Sequence, residues 1–195
     1  MDFSQFAFLQ PKHLSAHTPF IHSQPEFKPV LPRDPALSVM TDFKEHPAYT
    51  TNENVSIQTA LQQMKFSKVR SLFFVDQHDK IVGHVAARDI QGNKPAMLAS
   101  HFDIKPAEVT VKMLMIPASD MVSLHVNELS NACVGHIARL FHDLGVNYIF
   151  VVDADAEGVE VMRGIFSISR VNQQLGENVM GDLSSHSVAE MNQQI

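Results

Sequence analysis

Tryptophan is absent from the chain, and cysteine occurs once, at Cys133. A single thiol excludes an intramolecular disulfide framework and a cysteine-based zinc site. Charge is sparse as well: Asp, Glu, Lys and Arg make up 18% of the residues, below the usual quarter. Polar surface is therefore in short supply, and a partner or a second copy is expected to cover part of the molecule. The 15 Lys and Arg against 21 Asp and Glu leave a formal charge of −6. Nucleic-acid backbones demand clustered positive charge, so no nucleic-acid partner is expected. No run is long and apolar enough to span a bilayer. The opening MDFSQFAFLQPKHLSAH lacks both a basic start and an apolar stretch long enough for export. A cytoplasmic protein without membrane association is the expectation. Enzyme signatures are missing too: there is no GxSxG, no phosphate-binding P-loop, no dinucleotide glycine fingerprint and no HExxH. No catalytic residue and no metal ligand is assigned, and an enzyme is not expected.

What is present is a 195-residue chain, 45% hydrophobic, enough for one ordinary domain or two small ones. Residues 1–35 stand apart. Prolines at 11, 19, 25, 29, 32 and 35 forbid a long helix. Yet Phe3, Phe6, Phe8, Leu9, Phe20, Ile21 and Phe27 are too apolar for a solvated tail. The reading is an extended arm packed on its own body or on a neighbouring subunit.

From Ser38 the pattern is regular and duplicated. Leu72-Phe73-Phe74-Val75-Asp76 returns 77 residues later as Ile149-Phe150-Val151-Val152-Asp153. Upstream, Ile57, Ala60, Leu61 and Met64 return as Val134, Ile137, Ala138 and Phe141. Both quartets have the i, i+3, i+4, i+7 spacing of an amphipathic helix. A turn then leads to a second strand, Ile81 to Ala86 or Val159 to Phe166. Gly83 and Gly164 match at the longer offset of 81, which places four extra residues in the second turn. Each repeat reads strand, helix, strand, strand, helix, and two copies suggest a pseudo-two-fold unit rather than a solenoid. Between the repeats, Asp89 or Asn93 starts a helix with Pro95 in its first turn, and Pro106 opens another with Glu108 near its start. Ser187-Val188-Ala189-Glu190 has capping-box spacing, predicting a short helix from Val188 to about Gln194.

The residues Val39-Met40, Pro47-Ala48-Tyr49, Leu72 to Asp76 and Ile81 to Ile90, answered by Met115-Ile116-Pro117, Ile149 to Asp153 and Arg163 to Val171, resemble a tandem pair of CBS domains, a Bateman module. The resemblance covers about Pro35 to Gly176. Ser38 to Phe43, Gly92 to Pro95 and Gln174 to Gly176 also resemble stand-alone two-CBS proteins of proteobacteria. It implies an α/β (α+β) fold of two CBS repeats with pseudo-two-fold symmetry, plus the arm: residues 1–35 arm, 36–104 repeat one, 105–176 repeat two, 177–195 a loop and short helix. It also implies a homodimer, and a regulatory protein that binds an adenosyl compound such as AMP, ADP, ATP or S-adenosylmethionine in the clefts between repeats. Without an effector domain in this sequence, output passes to an unknown effector protein in trans.

The family pattern is glycine, two apolar residues, Thr or Ser, two variable residues, then an Asp that accepts from both ribose hydroxyls. This chain divides the pattern between its repeats. Repeat one keeps Gly83 and Asp89 but has Ala86 at the hydroxyl position; repeat two keeps Gly164 and Ser167 but has Arg170 at the Asp position. A guanidinium has no acceptor for a ribose bond but suits phosphate. The resemblance therefore implies one good nucleoside site, centred on Asp89. Arg88 and Arg170 are candidate phosphate contacts, and Tyr49 and Val122 candidate adenine-pocket residues at the strand entries.

Plainer roles stand beside these. Asp89 and Ser167 can simply cap helices, Arg88 and Arg170 can be solvated or ion-paired, and Tyr49 and Val122 can be core edges. His84 reads as a partly buried structural histidine and Cys133 as a small buried residue at a helix start. His136 and His142 read as polar helix surface, and Met113, Met115 and Met121 as core packing. The defects at Ala86 and Arg170 also support another reading, a constitutive dimeric scaffold with non-binding clefts.

Overall fold

The computed structural model describes residues 7, 28–53 and 55–180. The phenylalanine-rich part of the arm and the helix expected from Val188 lie outside the described residues. Strand β1 (Thr41–Asp42) precedes the first repeat: β2 (Thr50–Asn52), α1 (Ile57–Phe66), β3 (Ser71–Val75), β4 (Ile81–Ala86) and α2 (Ala87–Gln91). The connector holds α3 (Lys94–Phe102), α4 (Val111–Leu114) and β5 (Ile116–Pro117). The second repeat is β6 (Ser123–His125), α5 (Val134–Leu144), β7 (Tyr148–Ala154), β8 (Glu160–Ser167) and α6 (Ile168–Leu175).

The expected strand-helix-strand-strand-helix order is present twice. In each repeat the helix crosses over between two parallel strands, as parallel pairing requires, and an antiparallel hairpin follows. Each quartet read from the sequence forms the inner face of its helix. Ile57, Ala60 and Met64 pack on Leu72, Phe74 and Val85; Val134, Ile137 and Phe141 pack on Ile149, Val151 and Phe166. The alternate strand positions, Phe73, Tyr148, Phe150 and Ile165, join Ala86 in a third cluster between the two sheets. Both sheet faces are thus covered, which explains why these strands read as unbroken apolar runs.

The edge strands are exchanged. One sheet has the order β2-β3-β4-β5 and the other β1-β8-β7-β6. The strand ahead of repeat one completes the sheet of repeat two, and the strand between the repeats completes the first. Sheet membership therefore crosses the boundaries expected near residues 36 and 105. The matched glycines make this exchange possible. A Cβ on Gly164 would lie 2.7 Å from the Thr41 carbonyl oxygen, and one on Gly83 would lie 2.9 Å from that of Ile116. Met40 and Met115 close over these glycines in turn, so Met115 is a packing residue.

The four extra residues of repeat two do not lengthen the turn. Both turns have the same construction: Asp76 accepts from His78 and Lys80 N–H, and Asp155 accepts from Glu157 and Val159 N–H. The insertion is spent on the strands, since β7 and β8 have 7 and 8 residues against 5 and 6 in β3 and β4. Asp155, not Asp153, is the turn counterpart of Asp76.

The described end of the arm packs on its own chain. Val30 N–H donates to the Gln174 carbonyl, Gly135 N–H to that of Pro32, and Val134 N–H to that of Asp34.

Candidate functional site

Two matched corners, where β4 meets α2 and where β8 meets α6, hold most of the residues singled out from the sequence. In each, a strand residue sits at the N-cap position and the residue three further on is the third of the helix: Ala86 and Asp89, Ser167 and Arg170.

At the first corner Asp89 is not the N-cap residue that the sequence suggested. Alanine occupies that position and has no side chain to cap with. Asp89 instead reaches back, its Oδ2 accepting from Ala86 N–H at 3.2 Å. Its Oδ1 lies 4.0 Å from Arg88 Nε. Arg88 is not merely solvated: its guanidinium stands over the Tyr148 ring, 5.5 Å from the centroid. Burial pushes the Tyr148 phenol up to about 12, with the Arg88 charge opposing and that of Asp89 adding to the shift. Repeat two therefore furnishes one wall of the corner that carries Asp89. Tyr148, just ahead of the apolar run Ile149 to Asp153, is not singled out by the sequence pattern.

At the second corner Ser167 caps α6, accepting from Arg170 N–H at 3.4 Å. Arg170 is partly buried. Its Nη1 donates to Thr41 Oγ1 at 2.9 Å and its Nε to Gln174 Oε1 at 3.0 Å. Tyr49 and Val122 stand at the strand entries in matched roles, their carbonyls accepting from Phe73 and Phe150 N–H. The Tyr49 side chain is exposed.

Between the corners lies His84, which is completely buried rather than partly so. Its ring packs against Phe73, Tyr148 and Phe150. Among the described residues, neither ring nitrogen has a hydrogen-bond partner. Burial alone pushes its pKa down to about 3, so it is the neutral imidazole near pH 7. Cys133 departs from expectation in the other direction. It is partly exposed, with Sγ 3.0 Å from His136 Nδ1.

The lengthened hairpin builds a further feature. Arg163 grips Asp42 with Nε and Nη2, at 2.8 and 2.6 Å, and reaches Asp153 with Nη1 at 3.1 Å. The Arg163 hydrogen bond, against the opposing effect of burial, holds the Asp42 carboxyl down to about 2. A cavity of about 370 Å3 lined by Phe43, Lys44, Asp153 and Arg163 opens beside this group. It is an internal ion-pair cluster that fastens β1 to the hairpin. Among the described residues no group of three or more His, Cys, Asp or Glu side chains is placed to hold a metal, and no helix is long and apolar enough to cross a membrane.

Residues 38–93 match the family model of the CBS domain. No curated protein sequence matches the chain. Among solved structures, an uncharacterized conserved protein from Pyrococcus horikoshii aligns with a TM-score of 0.51 at 19% identity, over 74% of this chain and 93% of that one. A conserved CBS-domain protein of unknown function from Thermoplasma acidophilum aligns with a TM-score of 0.50 at 21% identity, over 76% of this chain and 77% of that one. CBSX2, a CBS-pair protein from Arabidopsis thaliana, aligns with a TM-score of 0.44 at 21% identity, over 72% of this chain and 92% of that one, and CBSX2 in complex with AMP aligns with a TM-score of 0.44 at 22% identity, over 72% and 94%.

Proposed function

From the premise that this chain is a tandem CBS-domain protein, we propose that it is a regulatory module taking up an adenosyl nucleotide at the β4–α2 corner. The observation that carries this reading is the Asp89 carboxylate. It is one-fifth exposed, and the Ala86 N–H holds it in place. A carboxylate offers about four lone-pair sites. One bond to Ala86 leaves room for two vicinal ribose hydroxyls, each a charge-assisted contact. Arg88 stands beside it as the cation for a phosphate, and Val122 and Tyr49 border the adenine at the strand entries. Ser167 and Arg170 form a second, weaker corner that favours an anionic group over a ribose. The signal passes in trans to an effector protein, and the module works as a homodimer.

The test is a thermal-shift panel of AMP, ADP, ATP and S-adenosylmethionine. A ligand at 100 times its dissociation constant stabilises the fold by about 2.7 kcal/mol. A second reading, the constitutive scaffold, draws support from Arg170, which is bonded to Thr41 and Gln174. No shift with any member of the panel favours the scaffold.

A further inference from the structure

Gln174 joins the second corner to the N-terminal segment. It is only 5% exposed, and both halves of its amide are bonded. Oε1 accepts from Arg170 Nε and Nε2 donates to the Lys28 carbonyl, each at 3.0 Å. The Gln174 backbone carbonyl accepts from Val30 N–H at 2.9 Å. On its other side Arg170 holds Thr41 Oγ1. A continuous line of hydrogen bonds therefore runs from Thr41 in β1, through Arg170 and Gln174, to the backbone at Lys28.

We propose that this line couples the β8–α6 corner to the N-terminal segment: an anionic ligand group there draws the Arg170 guanidinium away from Gln174 and loosens residues 28–30. The proposal rests on the nucleotide-binding reading for the identity of the ligand, a phosphorylated nucleoside. Two of the Arg170 hydrogen bonds run to uncharged acceptors, and a phosphate accepts more strongly, through two oxygens at once. Once Arg170 leaves, Gln174 Oε1 is a buried acceptor without a donor, which is unfavourable. Turning the amide to find one breaks its bond to Lys28. Linkage is reciprocal, so whatever loosens residues 28–30 tightens anion binding by the same factor. Residues 28–30 are then the element through which occupancy of the corner is reported.

Amide hydrogen exchange on the full-length chain tests this, read at Val30, whose N–H bonds to Gln174. Saturating ATP should speed Val30 exchange about tenfold, while adenosine, lacking phosphate, should leave it unchanged. Gln174→Leu, which keeps the size but removes the amide, should exchange fast without ligand, show no further response to ATP, and bind ATP about tenfold more tightly. Arg170→Ala should likewise speed Val30 exchange about tenfold without ligand, and it serves if Gln174→Leu does not fold. Calorimetric ATP binding with unchanged or slower Val30 exchange overturns the coupling and leaves the nucleotide reading standing. Absence of ATP binding to the wild type overturns the nucleotide reading. In that case unchanged Val30 exchange in Arg170→Ala overturns the link itself, and the tenfold increase upholds it.

Discussion

The ring of His84 packs against that of Tyr148 across the seam between the two sheets, centroids 4.8 Å apart, and among the described residues nothing hydrogen-bonds either imidazole nitrogen. The matched position in repeat two is Ile165, in the same apolar cluster. Near it, Tyr148 lies beside Arg88 and Asp89, but burial is what sets the imidazole's state.

Stability should therefore fall in acid through His84. Its pKa is depressed from 6.5 to about 3 in the fold, so between those values the unfolded chain binds a proton that the folded chain refuses. Stability from this group is complete above about pH 6.5 and declines as pH falls towards 3, by at most about 1.4 kcal/mol per unit. His84→Ile should flatten the slope and, by removing two unsatisfied polar atoms, leave stability at pH 7 equal or higher. Urea unfolding at several pH values checks this. An unchanged slope in the variant would show that other groups set the acid dependence.

Gly164→Ala should destabilise by about 1–3 kcal/mol, the range for overpacking a tight site. The added Cβ meets the Thr41 carbonyl at 2.7 Å, and that carbonyl is backbone of the exchanged strand. Thermal unfolding measures the loss. A variant as stable as wild type would mean that β1 moves aside freely.

Arg163→Met should cost about 1–2 kcal/mol, since it breaks a two-pronged, mostly buried grip on Asp42. The Asp42 carboxyl titrates at about 2 in the fold against 3.8 ordinarily. Its contribution is present above about pH 4 and is lost as pH falls through 2. The variant should lack that loss, as acid titration of stability would reveal.

Much of this architecture is legible in the residues. The 77-residue offset, lengthened to 81 at the second strand, locates both crossover helices and the strands of both hairpins, because apolar spacing follows directly from which faces are covered. The glycine pair marks the close approach of the exchanged strands. Which sheet each edge strand joins is not legible, since Thr41–Asp42 and Ile116–Pro117 carry too little pattern to reveal a partner. The placement of the extra four residues is not legible either, because Asp153 mimics the turn aspartate in spacing whereas Asp155 makes the turn bonds. Ala86, Asp89, Ser167 and Arg170 could be paired into corners by their shared pattern. The Tyr148 wall, the Gln174 bridge and the partnerless state of His84 arise from contacts distant in sequence, which local spacing does not encode.

Phe66 is 92% exposed, and Met97 and Phe102 are 69% and 53% exposed on helices flanking α2. Under the homodimer reading, Phe66→Lys should weaken self-association about tenfold or more, a common result for a large apolar anchor. Sedimentation equilibrium checks it. A wild-type mass near 21.8 kDa at micromolar concentration would contradict the homodimer.

Whether Asp89 accepts the ribose hydroxyls of an adenine nucleotide is tested most directly by Asp89→Asn. The amide can still accept from Ala86 N–H, so stability without ligand should hardly change. It lacks the charge that strengthens the two hydroxyl contacts, so calorimetric affinity for AMP or ATP should fall about tenfold or more. The 2′-deoxy nucleotide should lose less, because one contact is already missing. Unchanged affinity in Asp89→Asn, or no binding to the wild type, would contradict the account.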